Sequence, residues 1–196
     1  PRSVMILSGK RIAVYCGSSN KVHASYLELA FQVGQQLATK GIGVVYGGGN
    51  VGLMKAVADG ALNQGGDAIG VIPKSLETLE LAHPNLTKLF VTQGMHERKA
   101  LMAQLADGFI GLPGGYGTME EIMEVITWTQ INIHAKPIGL LNVNGFYDGI
   151  VHWVDHATKE GFIRPAHREL LCCHSSLDVL LEQMSQIQYV DLSTQL

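Results

Sequence analysis

The stretch GFIGLPGGYGTMEE at residues 108–121 restricts this chain more than any other. Its apolar run at 109–112 reads as a short buried strand. Pro113, Gly114 and Gly115 stop that strand, and a helical pattern begins at about Thr118. A strand, a glycine turn and a helix N-terminus, in that order, form the repeating piece of alternating α/β folds. Glycines in such a turn let the backbone approach a ligand with no Cβ between them, and the first N–H groups of the helix point into the turn. The pocket so formed favours an anion, phosphate above all. Gly114, Gly115 and Gly117 are therefore candidate phosphate ligands, and Thr118 offers a hydroxyl either as helix N-cap or to the same phosphate.

Three acids follow within the first two turns of that helix. Acids near a positive helix end complement its dipole, which accounts for Glu120 and Glu124. Glu121 is a different case. Ile122, Met123, Val125, Ile126 and Trp128 make the helix apolar on most sides, and a carboxylate among them in the first turn is expected to face the mouth of the site.

The rest of the chain repeats the alternation. Strand patterns lie at 11–16, 42–46, 68–72, 89–92 and 137–141 besides the one at 108–112. Helical patterns lie at 24–40, 53–63, 95–105, 118–134, 146–160 and 177–187, and Gly41 sits where a C′ glycine ends the first of them. A polar loop at 74–84 carries Glu77 and Glu80, and the segment before the last helix, with Arg164, Pro165 and His167, reads as irregular. Parallel pairing through right-handed crossovers predicts a Rossmann-like, doubly wound parallel sheet in three α/β/α layers. A length of 196 residues with 46% hydrophobic content suits one full core. One domain is expected over 11–190, with 1–10 an N-terminal extension and 191–196 a C-terminal tail; the residues before Met5 read as an expression remnant.

Ligands of such folds bind outside the carboxyl ends of the strands. Three polar or glycine-rich turns fall there, at 17–20, 47–52 and 113–118, and adjacent strands would bring them to one crevice. Ser18, Gly48 and Gly49 thereby join the phosphate candidates. Gly47, Gly49 and Gly52 also match the dinucleotide pattern GxGxxG, but after the second strand rather than the first, and the following strand ends at Pro73 with no acid to hold a ribose diol. A mononucleotide suits the spacing better than a dinucleotide, and no cofactor is expected.

Composition excludes several partners. A net charge of −3 and a pI near 6.2 argue against nucleic acid. The three cysteines, two of them adjacent at Cys172 and Cys173, are spaced as neither a metal nor a redox pair, and point to a reducing, cytoplasmic setting. No apolar run approaches the ~18 residues of a membrane span and no signal-peptide pattern opens the chain, so no membrane partner is expected.

GGGNVGLM at 47–54, MHERK at 95–99 and PGGYGTMEE at 113–121 together resemble the LOG (Lonely Guy) family, cytokinin riboside 5′-monophosphate phosphoribohydrolases long labelled lysine decarboxylases. The family signature PGGxGTxxE is matched at Pro113, Gly114, Gly115, Gly117, Thr118 and Glu121, and the resemblance runs in order from about residue 11 to 190. It implies a homodimeric Rossmann-like hydrolase that splits the base–ribose bond of AMP or an N6-modified adenosine 5′-monophosphate, giving free base and ribose 5-phosphate. The family's catalytic arginine and glutamate fall on Arg98 and Glu121.

Those residue types suit that chemistry. Cleavage passes through an oxocarbenium-like sugar, so a carboxylate beside C1′ stabilises developing positive charge and can orient a water; Glu121 is the candidate. Arg98 is no proton donor, its pKa lying above ~12, and is expected to hold Glu121 and the nucleotide and to balance charge. Lys99 is either a further nucleotide ligand or a solvated helix cation. Met95, three residues before Arg98, is either a thioether against a flat base or a core residue. Glu80 is either a contact to N6 or ribose or a solvent-facing acid. His152 and His156 resemble half a metal site with no third ligand at suitable spacing, which favours an exposed helix face and no metal. Cys172, Cys173 and His174 are expected to pack. Two other activities compete. A pyridoxal phosphate enzyme needs a Schiff-base lysine in a dedicated setting, and neither Lys55 nor Lys99 has one. A non-catalytic nucleotide sensor could use the same crevice, but gains nothing from an acid near a phosphate.

Overall fold

The computed structural model describes residues 7–77 and 82–189. Seven strands form one all-parallel sheet: β1 (Arg11–Tyr15), β2 (Gly43–Tyr46), β3 (Ala68–Pro73), β4 (Lys88–Thr92), β5 (Gly108–Gly111), β6 (Ile138–Leu141) and β7 (Leu171–His174), in the spatial order β4-β3-β2-β1-β5-β6-β7. The helices between them are α1 (Ala24–Thr39), α2 (Gly52–Asn63), the single turn α3 (Lys74–Glu77), α4 (Met95–Leu105), α5 (Tyr116–Gln130), α6 (Asp148–Lys159), the short α7 (Pro165–Arg168) and α8 (Leu177–Ser185). This is the doubly wound, three-layer fold that the alternation predicts.

Strand alternation builds the layers. Ile12, Val14, Val44, Ile110 and Leu112 pack with α1, α2 and α8 on one face, whereas Ala13, Tyr15, Val45 and Phe109 pack with α4, α5 and α6 on the other. Gly41 ends α1 with φ +71° in a Schellman arrangement, Ile42 N–H donating to Leu37 O at 2.9 Å and Gly41 N–H to Ala38 O at 2.9 Å. Two helical glycines set how closely α1 and α2 lie. A Cβ on Gly34 would stand 2.2 Å from Val57 O, and one on Gly60 2.0 Å from Phe31 O, so only glycine allows this crossing.

Three boundaries differ from the sequence reading. The segment expected to be irregular contains β7, which pairs Leu171–His174 with β6 in parallel; four residues with two cysteines carry almost no strand pattern of their own, and the strand exists because the open edge of β6 receives it. The helix expected at 118–134 runs from Tyr116 to Gln130. It starts earlier because Gly115, not Thr118, is its N-cap. The loop after β3 opens with α3, and its far end returns to β2's turn through a bridge between Gly49 and Ala82.

The strand order reverses at β1, whose neighbours are β2 and β5. Ligand crevices open at that point in such sheets. The turns after β1 and β5 meet there, Gly17 N–H donating to Pro113 O at 3.1 Å.

Candidate active site

A cavity of about 540 Å³ fills this crevice, a volume in the range of small-molecule sites. Its floor and walls include Gly17, Ser18 and Ser19 after β1, Leu53 and Met54 of α2, Met95 and Arg98 of α4, and Pro113, Gly114, Gly115, Gly117, Thr118 and Glu121 of the turn after β5 and of α5. Four segments distant in sequence thus converge on one space.

The N-terminus of α5 opens into it. Met119 N–H makes the first helical bond, to Gly115 O at 3.1 Å, and no side chain among the described residues caps this end. The N–H groups of Gly117 and Thr118 precede that bond and are among those a helix leaves for an outside acceptor. A Cβ added at Gly115 or Gly117 would meet nothing within 4 Å, so the space beside them is open. Gly114 is confined instead: a Cβ there would lie 2.1 Å from Thr118 Oγ1. Of the two roles open to Thr118, the N-cap is excluded, since it is the third residue of the helix. Its buried side chain lines the cavity.

The glycines after β2 behave otherwise. Gly48, at φ +78°, backs onto β3, where Gly70 leaves room for it, and Gly52, at φ +58°, sits against the backbone of Ser18. Gly52 N–H donates to Asn20 Oδ1 at 2.8 Å and Leu53 N–H to Gly17 O at 3.1 Å, so the start of α2 is already engaged by the β1 turn. Gly48 and Gly49 do not line the cavity. The match to GxGxxG therefore reflects packing of turn on turn.

Arg98 is 3% exposed and rigidly held. Its Nε donates to Val71 O at 2.9 Å and its Nη2 to Gly47 O at 2.7 Å, while Nη1 lies 3.9 Å from Met95 Sδ. A planar fork gripped by two carbonyls presents its charge at one fixed point. Gly47 has no side chain because a Cβ would fall 2.1 Å from Nη2. Arg98 and Glu121 line the same cavity. Both carry charge beside the strand beneath, where burial first, and then Glu121 and Glu124, push the Tyr15 hydroxyl well above its usual range. Burial, followed by Glu121, raises the Cys16 thiol likewise, so this cysteine at the cavity is no nucleophile.

Lys99 does not line the cavity. Its Nζ donates to Glu120 Oε1 at 2.6 Å and Glu124 Oε2 at 2.9 Å, and these hydrogen bonds raise its pKa. Glu80 lies outside the described residues. Met95 reaches the cavity beside Arg98. His152 and His156 are both exposed on α6.

Several lining residues carry no motif. Val22, Tyr26, Leu53, Met54, Leu76 and Phe146 supply an apolar wall, on which Tyr26 and Phe146 stack edge to face at 6.1 Å. Apart from Leu53 and Met54, which fall in GGGNVGLM, their only signal in the sequence is apolar character near the ends of elements, which core residues share. The wall suits a flat, weakly polar ring system, and the α5 turn adds a polar part to the same lining. A larger and more open cavity of about 770 Å³ lies along β7, lined by residues of α6, β7 and α8. Its lining cation, Arg168, is paired with Asp155, Nε to Oδ1 at 2.6 Å, and it contains none of the motif residues.

Residues 54–184 match a family model described as "Possible lysine decarboxylase". The chain is 51% identical over 162 residues to cytokinin riboside 5′-monophosphate phosphoribohydrolase LOG of Oryza sativa subsp. japonica, covering 83% of this chain and 67% of that protein. It is 45% identical over 179 residues to the enzyme of the same name, LOG7, of Arabidopsis thaliana, covering 91% and 82%. Among solved structures, the molybdenum cofactor binding protein of Rippkaea orientalis superposes with a TM-score of 0.65 at 23% identity, over 85% of this chain and 90% of that one. The carrier protein for the same cofactor from Chlamydomonas reinhardtii does so at 0.66 and 22%, over 86% and 91%. At such identity these two structures share the fold alone.

Proposed function

The chain belongs to the LOG family of phosphoribohydrolases, and from that premise we propose that it hydrolyses the base–ribose bond of adenosine 5′-monophosphates, plain or N6-modified, to free base and ribose 5-phosphate. The observation that carries this reading is the shared cavity of Arg98, Glu121 and the uncapped start of α5. Its lining supplies N–H groups for a phosphate, an apolar wall for a base, and a carboxylate.

In this reading the 5′-phosphate takes the N–H groups at Gly117 and Thr118, with the Thr118 and Ser18 hydroxyls beside it. Glu121 stabilises the positive charge that develops on the sugar as the C1′–N9 bond breaks, and orients the water. The water oxygen bonds to C1′, the C1′–N9 electron pair leaves with the base, and one water proton ends on the base. Arg98, fixed by Val71 O and Gly47 O, supplies a positive charge that needs no reorganisation during the reaction.

The decarboxylase description of the family model does not fit these residues. A Schiff-base lysine works with a lowered pKa in a pocket. Lys99 is raised by two carboxylates and lies outside the cavity, and Lys55 is paired with Asp59 on the surface of α2.

We also propose a homodimer in a cytoplasmic setting. Tyr116, Ile131 and Ile133, at the two ends of α5, are 98%, 60% and 61% exposed, which supports a contact surface there. All three cysteines are free thiols, which supports a reducing compartment. Among the described residues, no helix is long and apolar enough to cross a membrane.

The test is incubation of the purified protein, with no added cofactor, with AMP, isopentenyladenosine monophosphate and adenosine, following free base by chromatography. Base release from either nucleotide, with adenosine much slower, is the expected result. Equal rates on adenosine would remove the phosphate clamp. No release from any of them, with AMP bound by calorimetry, would make the protein a nucleotide sensor.

A further inference from the structure

Resting on that reading of the site, we propose that Lys99 is a positioning residue for the hydrolysis: through Glu120 and Glu124 it clamps α5 against α4 and so sets Glu121 relative to Arg98. Arg98 and Lys99 are neighbours on α4, but their side chains diverge. Arg98 reaches the turn after β2 and the body of β3 through Gly47 O and Val71 O, and Lys99 reaches α5. One helix turn of α4 therefore ties both halves of the site together.

On α5, Glu120 and Glu124 stand one turn apart and face Lys99, while Glu121, about 100° around the helix, lines the cavity. A slide or rotation of α5 that moved Glu121 would break both ion pairs. The Lys99 end of the clamp is sheltered at 10% exposure, whereas Glu120 is 57% and Glu124 25% exposed, so the pair with Glu124 is the less screened of the two. The arrangement leaves Lys99 poorly suited to bind a phosphate itself, since its charge is already shared between two carboxylates.

Charge balance adds a second effect. Among the described residues, Glu121 lies near Tyr15 of β1, Cys16 just after it and, across the cavity lining, Arg98 of α4, while Glu120 and Glu124 on its own helix are held by Lys99. Loss of Lys99 leaves two uncompensated carboxylates beside Glu121, which makes its ionisation harder.

The experiment compares the native chain with Lys99→Met, Lys99→Arg and the triple variant Lys99→Met/Glu120→Gln/Glu124→Gln. It measures kcat and KM on AMP and isopentenyladenosine monophosphate across pH, and the titration of the Glu121 carboxyl carbon by NMR. For Lys99→Met, kcat is expected to fall on the order of tenfold to a hundredfold, with KM within about threefold and the Glu121 titration moved to higher pH. Lys99→Arg keeps both ion pairs and retains most of the activity. The triple variant removes the excess negative charge and returns the Glu121 titration to its native position or below. A raised KM with unchanged kcat would make Lys99 a substrate ligand and overturn the inference. So would an arginine variant as impaired as the methionine one, or an unmoved Glu121 titration. If the native chain releases no base, the functional reading fails by itself, and the NMR titration still decides the role of Lys99.

Discussion

Two residues divide the proposed chemistry, and each can be tested alone. Glu121→Gln keeps size and polarity while removing the negative charge that meets the developing sugar cation. Turnover should fall by about 10²- to 10³-fold, the effect of deleting one transition-state stabilising group, while AMP still binds by calorimetry. Near-native turnover would take Glu121 out of the mechanism. Gly47→Ala tests Arg98 without touching it. Gly47 does not need a left-handed backbone, so alanine is accepted there, but its Cβ would stand 2.1 Å from Nη2 of Arg98. The end of a side chain can move aside where a backbone cannot, so the fold should survive and the guanidinium should not stay in place. Activity is expected to drop by roughly a hundredfold, as for a displaced positioning group, with an unchanged circular dichroism spectrum. Retained activity would mean that the fixed position of Arg98 is dispensable.

Elements matter here through how they are set against one another. The β1 and β2 turns are brought together by α1 and α2, which follow them and cross at Gly34 and Gly60. Gly60→Ala puts a methyl into Phe31 O, a backbone atom that cannot step aside. Overpacking of this kind costs about 1–3 kcal/mol, offset in part by about 1 kcal/mol from alanine's better helix propensity. A net loss of stability in urea denaturation is the expected outcome, and a stabilised variant would show that the two helices separate freely. The same scale explains the uncapped end of α5. At α2 the first N–H groups are taken by Asn20 and Gly17, whereas at α5 no side chain among the described residues takes this role, and the latter faces the cavity.

The whole molecule should be sensitive to mild acid. His167 is buried, neither ring nitrogen has a hydrogen-bond partner among the described residues, and burial, followed by the charge of Arg164, lowers its pKa below the ordinary 6.5. His134 is lowered too, chiefly by burial; its Nδ1 accepts from Lys136 N–H at 3.0 Å, which leaves no site for a second proton. Below pH 6.5 the unfolded chain therefore takes up protons at these positions that the folded chain resists. Stability is full above that pH and falls as pH drops through the folded values. Denaturation midpoints at pH 7.5 and 5.5 should show this loss, and His167→Leu should reduce it. An equal loss in the variant would assign the acid sensitivity elsewhere.

The sequence by itself determined the layer order, the strand–turn–helix unit at 108–121 and the family, because each depends on local periodicity or on residue types at fixed spacing. It also set Gly114, Gly115, Gly117, Thr118, Arg98 and Glu121 apart, since a motif is local. The tertiary structure decided the rest. β7 exists because the edge of β6 receives it, not because Leu171–His174 is a strong strand. Gly48 and Gly49, read as phosphate candidates, are not in the cavity lining: Gly48 packs against β3 and Gly49 bridges Ala82. Lys99 points to α5 and not to the cavity, although it follows Arg98 in the chain, because successive helical residues differ by about 100° in direction. The apolar wall of Tyr26, Leu76 and Phe146 is assembled from three separate segments. Contacts between residues far apart in the chain leave no spacing to read, and only the folded sheet brings them together.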